Sequence, residues 1–96
     1  MRPQKLNELE ISAALASLPG WSVSAGKLRR EFTCRDFRDA FGKMTSVAQA
    51  AEAMNHHPDW SNSWNKVTIE LTTHSASGLT ALDFELAHKI QVIFEG

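Results

Sequence analysis

RDFRDAFGKMTSVAQAAEAMNHHPDWSNSWNKVTIELTTH, residues 35–74, changes its hydrophobic period part-way through, and that change decides the fold. In the first half Phe37, Phe41, Met44, Ala48 and Ala51 recur at helical spacing, and Val47, Ala50 and Met54 form a second stripe beside them. The spacing predicts a helix over Arg35–Asn55, with Thr33 as its N-cap and Asp36 suited to its positive start. Pro58 cannot continue it. Beyond Pro58 the period falls to two. Val67, Ile69 and Leu71 share one face and Thr68, Glu70 and Thr72 the other, which predicts a strand over Val67–Thr73. Asp59–Ser63 reads as an edge strand and Trp64-Asn65-Lys66 as the turn between the two.

Outward from this stretch, Ile11, Leu15 and Leu18 give one apolar face to a helix over Asn7–Leu18, stopped by Pro19-Gly20. Trp21–Ser24 and Lys27–Phe32 read as a hairpin about Ala25-Gly26. His74–Leu79 is a loop. A last helix follows over Thr80–Phe94, opened by Thr80 and Asp83 in the spacing of a capping box. The order is α-β-β-α-β-β-α. It predicts an α+β fold: a four-stranded antiparallel sheet with three helices packed on one face. The double stripe of the central helix is wider than one sheet face requires, and the surplus is expected to pack against another subunit.

The chain has 96 residues, one domain's worth, and residues 1–96 are read as a single domain. A net charge of −1 supplies no field to attract nucleic-acid phosphates. No run approaches the roughly 20 apolar residues of a membrane span. The first residues include Arg2, Lys5, Glu8 and Glu10 and do not read as a secretory leader. Cys34 is a single cysteine, read as a packing residue in a reducing compartment. A cytoplasmic location is expected.

Four histidines, His56, His57, His74 and His88, carry the readable chemistry. Imidazole exchanges protons near neutral pH. His56 and His57 lie at the negative end of the long helix, where Glu52, four residues before His56, could orient its ring. His74 is expected to end the strongest strand, at a sheet edge. Two elements thus deliver histidines to element termini, an arrangement suited to general acid–base work. Taken alone, a histidine pair at a helix end is more often a solvated cap that favours the negative dipole. Adjacent histidines leave a helix about 100° apart and no further ligand stands at a metal-like spacing, so no metal site is expected. His88 reads as a helix-surface residue. Trp60 follows the pair closely and could wall a pocket, although core packing is the commoner fate of tryptophan.

The anchors Glu52, His56-His57-Pro58, Trp64, His74 and Asp83 are separated by three, five, nine and eight residues. This resembles the signature of the pterin-4a-carbinolamine dehydratases. Gly20-Trp21, Asp36-Phe37, Ala40-Phe41, Asn65-Lys66-Val67 and Gly78-Leu79-Thr80 resemble the family's flanking segments. The resemblance spans roughly residues 6 to 94. It implies the fold read above, without any cofactor, and homodimers or homotetramers joined through sheet edges and long helices. The implied reaction is dehydration of 4a-hydroxytetrahydrobiopterin, or a related pterin, to quinonoid dihydropterin. It makes His56, His57 and His74 the catalytic residues. Glu52, Asn55, Pro58, Trp60 and Asp83 become substrate-binding or supporting residues, with Asp83 also a possible helix cap. Asn55 stands where animal members often carry Asp and adds no negative charge. Two other readings stay open: a pterin-binding helper in molybdopterin metabolism, and a protein-binding dimerisation cofactor in transcription.

Overall fold

The computed structural model describes residues 4–96. The elements are α1 (Glu8–Leu15), β1 (Ser22–Ser24), β2 (Lys27–Thr33), α2 (Phe37–Met54), β3 (Asp59–Ser63), β4 (Lys66–Leu71), a single 3-10 turn (His74–Ala76) and α3 (Ala81–Glu95). The strands form one antiparallel sheet in the order β1-β2-β4-β3. This is the α+β order expected from the sequence.

Alternation along β4 sets the layers. Val67, Ile69 and Leu71 are buried with Leu28 and Phe32 of β2 against Val47 and Ala51 of α2 and Phe84, Ala87 and Ile90 of α3. Each large apolar side chain so buried contributes about 1.5–3 kcal/mol. The opposite face of the sheet is polar, with Lys27, Arg29 and Glu70 in surface ion pairs. Arg30 reaches from the inner face to α3. Its guanidinium donates to both carboxylate oxygens of Glu95 and to Gln91, and lies 4.3 Å from the centre of the Phe32 ring.

Several boundaries differ from the sequence reading. The first helix ends at Leu15, not Leu18, because the chain tightens into three-residue turns (Ser17 N–H to Ala14 O, Leu18 N–H to Leu15 O) that fold Leu18 into the core. Trp21 is buried just outside β1. Thr33 is not the N-cap of α2. It pairs with Lys66 in the sheet, and Cys34 N–H still bonds Asn65 O, so the strand outlasts it. Asp36 caps instead, its Oδ1 accepting from Asp39 N–H at 2.8 Å. The last strand closes at Leu71 rather than Thr73. Thr73 forms a lone bridge with Gly78, and His74 opens the 3-10 turn rather than ending a strand.

The stripes on α2 separate. Ala40, Val47 and Ala51 are buried, Met44, Ala50 and Met54 half-buried, while Phe37 and Phe41 remain 50% and 55% exposed. The surplus apolar surface therefore faces outward.

The end of α2 aims the histidines. Asn55 adopts the left-handed conformation (φ 51°, ψ 43°), Asn55 N–H bonds Glu52 O, and His56 N–H bonds Ala51 O. These two reversed bonds form a Schellman motif, for which Asn is the usual alternative to Gly. The role visible for Asn55 is therefore in its backbone. Asn55→Val is expected to cost about 1–2 kcal/mol, the penalty for placing a Cβ-crowded residue in this conformation, and Asn55→Gly to be nearly neutral. Urea denaturation checks this; equal stability of the Val variant would contradict it.

Candidate active site

The turn after Asn55 sends two consecutive histidines in different directions. His56 is folded inward, 8% exposed, and His57 stands at the surface. Nε2 of His56 lies 2.6 Å from Oδ1 of Asp83, which is fully buried at the start of α3. The second oxygen, Oδ2, accepts from Thr73 Oγ1 at 2.8 Å and from Thr80 N–H at 2.9 Å. Because Thr73 gives its proton to Asp83, the 2.8 Å contact between the two threonine hydroxyls is donated by Thr80. Thr80 Oγ1 in turn accepts from Leu82 N–H. Asp83 thus closes the capping box of α3 and holds a ring 27 residues away in sequence.

The buried carboxylate decides which ring nitrogen faces the protein. With every donor around it spent on Asp83, an ionised carboxylate accepts from His56 Nε2–H, and Nδ1 becomes the edge left for a ligand. Among the described residues, Nδ1 has no hydrogen-bond partner and no fully buried side-chain nitrogen or oxygen lacks one, so Nδ1 is part of the ring's exposed edge. Such carboxylate support orients an imidazole without blocking its second nitrogen.

Glu52 serves the other histidine. Its Oε1 lies 2.8 Å from Nε2 of His57, not near His56 as the four-residue spacing suggested. The reason is the left-handed turn at Asn55, which takes His56 off the helix face that Glu52 occupies. Both partners are well exposed, so the pair is a weak tether. His74 is exposed, and its neighbour Thr73 donates to the same Asp83 that holds His56. Through Thr73 and Asp83 the structure ties the His74 turn to His56; it does not bring Glu52 into that network.

The remaining candidates are less direct. Trp60 pairs opposite Ile69 and packs half-buried against the core, where sequence reading also allowed a pocket wall. Pro58 is half-buried between α2 and β3. Trp64 occupies the β3–β4 turn, 67% exposed with φ 51°. His88 bonds Ser17 Oγ at 3.2 Å in the middle of α3, as a surface residue. Burial pushes the Cys34 thiol up, so it stays protonated and unreactive at neutral pH. Thr73 is a supporting residue that sequence reading missed. A threonine beside a candidate histidine carries no signal until the strand end and the α3 cap are brought together. Among the described residues, no group of three or more His, Cys, Asp or Glu side chains is placed to hold a metal ion.

A model of the family described as pterin 4 alpha carbinolamine dehydratase matches residues 4–93. The chain belongs to this family. The family is one of dehydratases, and membership makes the chain a hydro-lyase. A protein of Solibacter usitatus named "Putative pterin-4-alpha-carbinolamine dehydratase" is 53% identical over 96% of this chain and 97% of its own length. One of Mesorhizobium japonicum with the same name is 48% identical over the whole of both chains. The crystal structure of a Brucella melitensis protein described as transcriptional coactivator/pterin dehydratase superimposes with a TM-score of 0.92. It is 40% identical and covers 95% of this chain and 99% of that one.

Proposed function

We propose that this dehydratase acts on 4a-hydroxytetrahydrobiopterin or a related 4a-hydroxytetrahydropterin, forming the quinonoid dihydropterin, as a step in recycling the tetrahydropterin cofactor of aromatic amino acid hydroxylases. The observation that carries this reading is the His56 ring, fixed by a buried carboxylate with one nitrogen left free. The reaction breaks the C4a–O bond and removes the N5 proton. Hydroxide is a poor leaving group, so an acid must protonate it to depart as water, while a base takes the proton from N5. His56 and His74 are assigned as acids toward the hydroxyl, His56 as the imidazolium that keeps Nε2–H on Asp83 and gives up its Nδ1 proton. His57, tethered by Glu52, binds the pterin or accepts the N5 proton. The step needs no electron transfer, so these side chains supply every group it requires.

In this reading residues 1–96 work as one catalytic domain in the cytoplasm. Among the described residues, no helix is long and apolar enough to cross a membrane. The exposed Phe37 and Phe41 support assembly into homodimers or homotetramers. Sedimentation is expected to give a species heavier than the 10.7 kDa chain, shifted toward monomer by Phe41→Asp. A folded monomer at every concentration would contradict this.

His74→Ala tests the assignment. It is expected to lower the dehydration rate by roughly 10²-fold, at the lower end of general acid–base contributions, with the fold retained. Normal turnover by that variant would remove His74 from the mechanism.

A further inference from the structure

A cleft of about 470 Å³ opens beside His74, within the size range of small-molecule sites. Its walls combine two lysines, Lys5 and Lys27, with apolar Ile11, Val23 and Leu79. Among the described residues, no carboxylate lines it.

The two ammonium groups differ in what they already hold. Lys27 Nζ is 3.3 Å from Asp59 and 4.0 Å from Glu70, so its charge is matched. Lys5 takes part in no ion pair among the described residues. Its stem is seated against Gly78, where a side-chain Cβ would lie 2.7 Å from Lys5 Cε. The backbone beside it is pinned by Leu6 N–H to Leu79 O at 2.8 Å. The glycine thus makes room for this lysine along the cleft that His74 lines.

We propose that the cleft receives an anionic group, phosphate or carboxylate, carried on the C6 side chain of the substrate, with Lys5 as the specificity-determining residue. The inference rests on the dehydratase reading. C6 is bonded to N5, and N5 to C4a, which bears the departing hydroxyl, so a C6 substituent leaves the ring close to where His74 acts. Ile11, Val23 and Leu79 cover the carbon chain, and Lys5 meets its charged end. A charge-assisted hydrogen bond of this kind gives about ten-fold in affinity.

The test compares the 4a-hydroxy adducts of 6-hydroxymethyl-tetrahydropterin and of its phosphate monoester on the full chain and on Lys5→Gln. The full chain is expected to prefer the ester by about ten-fold in kcat/KM. Lys5→Gln is expected to abolish the preference by raising KM for the ester, leaving kcat and the alcohol unchanged. Equal kcat/KM for both substrates, or a preference that survives Lys5→Gln, would overturn the proposal. So would inorganic phosphate that alters turnover of the alcohol while leaving KM for the ester unchanged, since that marks a site for a free anion. Equilibrium binding of the two oxidised pterins, read by their fluorescence, separates the premises. If neither adduct is turned over, the dehydratase reading fails. A Lys5-dependent preference for the phosphorylated pterin in binding would then still uphold the cleft's specificity, and its absence would refute it.

Discussion

Asp83→Ala is expected to destabilise the fold by about 3–5 kcal/mol, since each buried donor left without its acceptor costs about 1–3 kcal/mol. Its carboxylate satisfies three donors at once: His56 Nε2, Thr73 Oγ1 and the Thr80 backbone N–H. Removal strands all three in a site with no solvent exposure at the carboxylate, and it also undoes the capping box of α3. A domain of this size holds only about 5–15 kcal/mol in total, so the loss is a large share of its stability. Asp83→Asn keeps the shape but turns one acceptor into a donor, and is expected to cost less. Urea unfolding of the three proteins measures both effects. An alanine variant within about 1 kcal/mol of the parent would show that the network adds little beyond a surface pair.

His56→Ala carries the largest expected effect on activity, a loss of about 10²–10⁴-fold in turnover, the usual contribution of a positioned acid or base. It also leaves Asp83 short of one donor, at a cost of about 1–3 kcal/mol, so retention of the folded state is checked by circular dichroism beside the assay. Asp83→Asn offers a second approach to the same point. It leaves His56 in place while disturbing which ring nitrogen carries the proton, so kcat is expected to fall with little change in KM. The effect belongs to positioning, since Asp83 is buried and reaches the substrate only through His56.

Most of the fold was legible because its signals are local. The switch from helical to alternating period between Met54 and Val67 names the layers, and Thr80 with Asp83 marks the start of α3. The misplaced boundaries lie where pairing or burial in the folded chain overrides the local pattern. Thr33 resembles an N-cap until Lys66 is seen opposite it, and Leu18 continues a helical stripe that the chain abandons to bury that side chain. The histidines could be named from their types and spacing, but their partners could not. Helical arithmetic matches Glu52 to His56, and it fails one residue after the helix ends, at left-handed Asn55. Asp83 was legible as a cap, yet its second oxygen's work on α3 and its first oxygen's hold on His56 are joined only by folding. The exposure of Phe37 and Phe41 follows the same logic in reverse: the sequence showed a surplus of apolar surface, and the structure shows that its aromatic N-terminal part is what is left over.

The most direct test is the appearance of quinonoid dihydropterin, followed by ultraviolet absorbance, from enzymatically generated 4a-hydroxytetrahydropterin with no added protein, with the chain, and with folded His56→Ala. The chain is expected to give a clear acceleration that falls back toward the spontaneous rate in the variant. No acceleration by the folded chain, or full acceleration by His56→Ala, would contradict it.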